Sequence, residues 1–194
     1  MGRTPSTTSE ARQRILETAD RLFYREGVRA VGIDRVIAEA DVAKATLYSH
    51  FPSKDDLIVA VLRHREESVL AFFRTAMERH GRRTKDRLRA FFAALKDWFR
   101  SPDFRGCAFI NAAVELADPD HPGSQCVREY KVRFRGMLDG LIEEAVGRAH
   151  ARVTPAVAML VEGAAVTALI HGSADAADVA RDAALALVAG AKGG

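Results

Sequence analysis

Lys44, Ala45, Tyr48 and Ser49 stand at helical spacing around Leu47, the one large aliphatic residue of a segment running from about Ala43 to His50. In a helix, Leu47 points toward a core and the other four fall on the opposite arc. Lysine reaches phosphate or guanine. Tyrosine reaches phosphate through its hydroxyl and a thymine methyl through its ring edge, and alanine can touch a thymine methyl. This is chemistry suited to reading a DNA groove. The preceding segment, about Ile33 to Ala40, carries Val36 and Ile37 inward, and Asp41 between the two tolerates the left-handed turn that a tight connection needs. Two short helices joined in this way have the spacing of a helix-turn-helix, whose second helix enters the major groove.

A second constellation is Cys107, Asn111 and Glu115, whose i, i+4, i+8 spacing puts them on one face of a helix from about Gly106 to Leu116. The other faces carry Phe109, Ile110, Ala112, Ala113, Val114 and Leu116, and a helix apolar all round is normally buried. A buried Asn and Glu need hydrogen-bond partners, either neighbouring side chains or a bound ligand. Glu115 with Asp118, Asp120 and His121 could also act as acid, base or metal ligand in a small helical enzyme. Those groups straddle a loop with Pro119 and Pro122 that reads as helix-ending punctuation. Nucleophile-elbow, phosphate-loop and HExxH patterns are missing, so no enzyme, cofactor or metal site is expected. The two cysteines, Cys107 and Cys126, have no CxxC or Cys/His ligand spacing, which speaks against a disulfide framework or a zinc module. A reducing cytoplasm is expected, with Cys107 an inert thiol rather than a redox sensor.

With 194 residues, 48% of them apolar and 28% charged, the chain can build one or two packed cores and is neither disordered nor fibrous. Its formal charge of +3 is too small to imply a nucleic-acid partner by itself. The polar stretch Met1 to Glu10 reads as a loose tail, and no stretch approaches roughly 18 uninterrupted apolar residues. No membrane partner is expected.

Helical periodicity dominates, so the expected fold is all-α with about nine helices. Thr7 and Glu10 form a capping box for a first helix to Glu26, closed by Gly27. With the two short helices it makes a compact trio. Ser53 and Asp56 cap a long fourth helix to about Glu78, which places the domain boundary after residue 52. Residues 1–52 then form an N-terminal helix-turn-helix domain and 53–194 a second helical domain. Further helices are expected from Thr84 to Arg100, Gly106 to Leu116, Ser124 to Ala149, Thr154 to Gly172, with Thr154 as N-cap before Pro155, and Ala174 to Ala189.

The run Val42-Ala43-Lys44-Ala45-Thr46-Leu47-Tyr48-Ser49-His50-Phe51-Pro52-Ser53-Lys54-Asp55-Asp56-Leu57 resembles the TetR-like transcriptional regulators. The resemblance extends upstream through Ala19, Leu22, Phe23, Gly27 and Ile33, covering roughly residues 10 to 62. It implies that Lys44, Ala45, Thr46, Tyr48 and His50 face DNA and that Lys54 takes a phosphate. Gly32 and Ile33 would offer backbone amides to another phosphate. The sequence departs from the family pattern at Val31 and Gly32, where Thr or Ser is usual, at Asp41 and Ala45 in place of Gly, and at Ala43 in place of Ser. The caps are therefore weaker, by a few tenths of a kcal/mol at Gly32 and about 1 kcal/mol at Ala43.

The resemblance also implies a cavity for a small effector. Phe73, Met77, Phe91, Leu95, Trp98 and Phe134 supply its apolar wall, and Cys107, Asn111, Glu115 and His171 its polar groups. A helix-turn-helix touches few base pairs, so tight binding calls for a dimer reading half-sites about 34 Å or a multiple of a turn apart. In the family the last two helices form a four-helix bundle across a two-fold axis. Gly163, Ala164, Ala168, Ala184, Leu185 and Val188 are the candidates here, and an ordinary alanine-rich core is the alternative. The expected protein is thus a homodimeric repressor of operator DNA, released when an effector favours the non-binding spacing of the two recognition helices. A DNA-binding regulator without effector stays open.

Overall fold

The computed structural model describes residues 5–81, 86–147 and 150–192. Among them the chain forms nine helices and no strand: α1 Pro5–Glu26, α2 Ile33–Ala40, α3 Lys44–His50, α4 Lys54–Gly81, α5 Arg87–Phe99, α6 Ala108–Leu116, α7 Pro122–Val146, α8 His150–His171 and α9 Ala176–Lys192. The all-α expectation and the helix order hold.

The chain packs as two compact units, one of residues 1–67 with 108–128 and the other of 68–107 with 129–194. Helices α4 and α7 each contribute residues to both units, and α6 belongs to the first.

In the first unit Ile15, Ala19, Leu22 and Phe23 of α1, Val36 of α2, Leu47 of α3 and Leu57 of α4 are buried together with Phe109 and Ala112 of α6. Gly27, at φ 99°, ends α1 and returns its N–H to Phe23 O at 3.0 Å. At the end of α2, Asp41 takes the left-handed conformation, φ 51° and ψ 58°. Its N–H reaches Ala38 O, and that of Val42 reaches Ile37 O at 3.3 Å, so the closing carbonyls are satisfied. Ser53 caps α4, its Oγ accepting the N–H of Asp56 at 3.0 Å and donating to Asp56 Oδ2 at 2.7 Å.

In the second unit Phe73 stacks on Phe91 with ring centroids 5.3 Å apart and meets Trp98 and Phe134 edge-on at 6.1 and 5.8 Å. Lys96 on α5 ties down the start of α9 through Asp178 and, just before it, Asp175.

Several expectations are corrected. Helix α1 begins at Pro5, so Thr7 lies inside it rather than capping it. Thr84 lies outside the described residues, and Asp86 caps α5 by accepting the N–H of Arg89 at 3.1 Å. The eighth helix begins at His150, which puts Pro155 inside it and leaves Thr154 as a buried interior residue whose Oγ1 has no hydrogen-bond partner among the described residues. Helix α6 starts at Ala108, so Cys107 precedes it and the i, i+4, i+8 series loses its first member. Nor is α6 buried all round: Phe109, Ala112 and Leu116 are buried, whereas Val114 is 73% exposed. By length and composition Ala151–His171 in α8 could cross a membrane, with a mean hydropathy of 1.8, though Arg152 and Glu162 interrupt it and the expected absence of a long uninterrupted apolar run stands. Part of that apolar surface is core, from Val153, Val157, Val161 and Ala168.

Candidate nucleic-acid interface

The α2–α3 pair presents the face that its periodicity calls for. Leu47 is fully buried, and Lys44, Ala45 and Ser49 are exposed with Tyr48, which is 41% exposed. Thr46 and His50 are half-buried, and the His50 ring meets Phe51 edge-on with centroids 6.4 Å apart. Ser49 Oγ turns back to Thr46 O at 2.8 Å, a local bond that a base or phosphate would have to replace. The Tyr48 hydroxyl has no hydrogen-bond partner among the described residues.

The two helix starts nearby have different chemistry. Gly32 is the N-cap of α2, in extended backbone, exposed, with no side-chain cap, and nothing stands within 4 Å of where a Cβ would be. Its openness leaves the first amides of α2, Ile33 among them, accessible to an anion. Ala43 likewise caps α3 without a side-chain bond, as its sequence implies. Lys54, the first residue of α4, is half-buried, and desolvation pulls its ammonium below the ordinary lysine value. The charges of Asp55 and Glu115 oppose that shift.

The structure adds neighbours that local pattern does not reveal. The guanidinium of Arg12 lies 5.2 Å from the centre of the Phe51 ring, which places an exposed cation beside the end of α3. Asp34, in the first turn of α2, pairs with Lys44 at 3.2 Å. Arg35 is held by Glu26 and Glu39, which raise its pKa above the usual arginine value, and Arg21 joins Glu39 at 2.8 Å. These pairs brace α1 against α2. Arg65 makes a two-pronged bond to Asp20, both contacts at 2.6 Å, with its Cζ 4.1 Å from the Tyr24 ring centre, and so braces α1 against α4.

The expected effector residues are distributed differently. Phe73, Phe91, Leu95 and Phe134 are buried in the packed ring cluster of the second unit, and Trp98 is half-buried beside them. Met77 lines an open groove with Leu70, Arg74, Arg133 and Met137. Cys107 is half-buried with its Sγ 3.9 Å from Lys131 Nζ, and Lys131 pairs with Glu162 at 2.9 Å. His171 is exposed in the last turn of α8. Asn111 and Glu115 make their contacts in the first unit. Asn111 lines a narrow crevice with Asp20, Tyr24 and Arg65, and Glu115 accepts the backbone N–H of Arg29 at 3.0 Å. Spacing alone could not assign Glu115 this partner, because Arg29 is remote in the chain.

The acids of the loop are also occupied structurally. Asp118 Oδ1 accepts the N–H of Asp120 at 2.9 Å. His121 caps α7 through Nδ1, which accepts the N–H of Gly123 at 2.9 Å, while its Nε2 lies 3.2 Å from Asp55.

Of the six residues of α8 and α9 expected at a dimer face, most are turned inward. Ala164, Ala168, Ala184 and Val188 are buried within the chain's own second unit, Leu185 is half-buried, and Gly163 alone of the six is exposed. The outward apolar residues are Met159, Val166, Leu169 and Ile170 of α8 with Val179 and Leu187 of α9. Small residues occur on both sides of these helices, so composition does not choose between them.

A helix-turn-helix with an exposed reading face, followed by helices of the length and order seen here, defines a class of bacterial regulatory protein. Residues 15–61 match the family described as bacterial regulatory proteins, tetR family, and residues 84–184 match the tetracyclin repressor-like C-terminal domain. The chain belongs to the TetR family. It is similar to SCO4454, a TetR-family transcriptional regulator from Streptomyces coelicolor, at 35% identity and a TM-score of 0.85 over 95% of this chain and 97% of that one. It is 35% identical to the HTH-type transcriptional activator FasR of Mycolicibacterium smegmatis over 69% of this chain and 58% of FasR. An HTH-type transcriptional regulator of Staphylococcus aureus strain USA300 matches at 37% over 34% of this chain and 35% of its own length. The match thus spans little more than half of the first of these two curated relatives and about a third of the second.

Proposed function

We propose that the chain is a homodimeric, sequence-specific DNA-binding transcriptional regulator of the cytoplasm, with the α2–α3 face laid in the major groove. The observation that carries this reading is the sorting of α3, with Leu47 fully buried and Lys44, Ala45, Tyr48 and Ser49 turned outward. Gly32, Ile33, Thr46, His50 and Lys54 complete the contact set, with residues 1–52 as its DNA-binding part and 53–194 serving effector binding and dimerisation. The exposed apolar stripe of α8 and α9 supports pairing of two chains, since a contiguous apolar face of this kind marks an interface. Met159, Val166, Ile170 and Val179 replace the buried alanines as its centre.

Repression released by a small effector is the finer part of the proposal. Half-buried Trp98 and Cys107, and the groove beside Met77, are the surfaces in the second unit that support it. FasR is described as an activator. A reporter driven by the gene's own upstream region therefore decides the sign: repression requires expression to rise when the protein is deleted.

DNA binding is tested by titrating the purified chain against that same upstream DNA across a salt series. A salt-dependent shift is expected. Lys44→Ala should lower the salt slope by about 1, and Tyr48→Ala should weaken specific binding about tenfold while leaving non-specific binding nearly unchanged. No binding at low salt by the folded wild-type chain would overturn the reading.

A further inference from the structure

The turn between α1 and α2 is held to the last turn of α6 by two hydrogen bonds, both donated by Arg29. The backbone N–H of Arg29 donates to Glu115 Oε2 at 3.0 Å, and Arg29 Nη2 donates to Leu116 O at 3.1 Å. Each bond satisfies a group that secondary structure leaves over: a turn amide in one case, a helix-terminal carbonyl in the other. Each is also charge-assisted. Gly27 admits the carboxylate, because a Cβ there would stand 2.7 Å from Glu115 Oε2, on a backbone whose φ of 99° already favours glycine. On either side of Arg29 the turn is pinned by Val28 and Val31, both buried. Gly32 follows directly as the N-cap of α2, with no side chain of its own to fix the start of that helix.

We propose that Glu115 is a positioning residue for DNA binding: by holding the Arg29 amide it sets how the N-terminus of α2, and with it α3, is presented to the duplex. The proposal rests on the DNA-binding reading of the α2–α3 face. Its physical basis is that α2 starts without a side-chain cap of its own, and a carboxylate from a helix far along the chain fixes the turn just ahead of that start by accepting the Arg29 amide. The same carboxylate lies close enough to Lys54 for its charge to favour the protonated ammonium there.

The test uses the full-length chain with Glu115→Gln, which keeps an acceptor oxygen, and Glu115→Ala, which removes it. Amide hydrogen exchange over residues 27–32 without DNA reads the clamp, and operator titration reads its consequence. Glu115→Ala should lose protection at Arg29 and bind the operator about tenfold more weakly, the scale of losing a charge-assisted hydrogen bond that orders a site. Glu115→Gln should keep both within about threefold of wild type, a rescue that a demand for charge alone would not allow. Wild-type affinity in a Glu115→Ala protein that has lost protection would overturn the proposal, as would equal losses in the two variants. Should Glu115→Ala fail to fold, Glu115→Met keeps the side-chain length without an acceptor and is read the same way. Wild-type protein that protects Arg29 but binds no DNA would instead overturn the DNA-binding reading beneath it.

Discussion

Lys44 Nζ stands 3.2 Å from Oδ1 of Asp34, so the first cation of the recognition helix is shared with an acid in the first turn of the helix before it. Both side chains are largely exposed, at 65% and 86%, and a pair of this kind is worth about 0–1 kcal/mol. It holds Lys44 in place and yields readily to phosphate. Asp34→Asn should therefore raise affinity for DNA of unrelated sequence by about two- to fivefold, through loss of competition and of repulsion from phosphate. Fluorescence anisotropy at two salt concentrations measures this. Weaker binding would show that the Asp34 carboxylate contacts the bases itself.

Among the described residues, two non-glycines occupy left-handed backbone, Asp41 at φ 51° after α2 and Ala117 at φ 52° after α6. A Cβ there is sterically costly, less so for aspartate than for alanine. Ala117→Gly should stabilise the protein by about 0.5–1 kcal/mol, and Asp41→Gly by less. Urea midpoints at one fixed protein concentration, with an unchanged slope, are the measure. A lower midpoint for Ala117→Gly would contradict the assignment of strain.

Acid stability should depend on the Lys96 network. The Asp178 carboxyl is held below its ordinary value first by the hydrogen bond from Lys96, then by the charges of Lys96 and Arg181, against the opposing effect of burial. A depressed carboxylate contributes stability that is present above its unfolded pKa of about 3.9 and is lost as pH falls through the folded value. Wild-type Tm should thus fall more steeply than that of Asp178→Asn below about pH 4, with the variant the less stable of the two near neutrality. Parallel Tm curves across that range would remove Asp178 from the account.

Pairing of two chains should depend on the outer stripe and not on the buried alanines. Met159 and Val179 are 68% and 71% exposed. Charging both, as Met159→Glu with Val179→Glu, should leave helix content intact and yield a monomer by light scattering. Operator affinity should drop by about a hundredfold or more, because each half-site is then bound alone. A dimer that survives these changes would place the interface elsewhere.

Much of this architecture is legible in local pattern. Leu47, the one large aliphatic residue between Lys44 and His50, fixes which way a seven-residue helix must face. Gly27, Asp41, Ser53 and Gly172 mark helix ends through backbone chemistry that involves only a few adjacent residues. Periodicity of 3.6 is a short-range property, so helix order and the outward set Lys44, Ala45, Tyr48 and Ser49 can be read from the residues in line.

Three features needed the folded chain. Helices α8 and α9 are rich in small and apolar residues on more than one side, and only packing decides that Ala164, Ala168, Ala184 and Val188 turn inward while Met159 and Val179 stay out. Phe73, Phe91 and Phe134 come from three different helices, and only folding brings their ring centroids within 5.3 to 6.2 Å of one another. Glu115 is the sharpest case. Sequence marks it as a polar residue that must find a partner, and its partner is the amide of Arg29, far away in the chain. Side-chain type and spacing state what a group requires, whereas who supplies it depends on long-range contacts that exist only once the helices have packed.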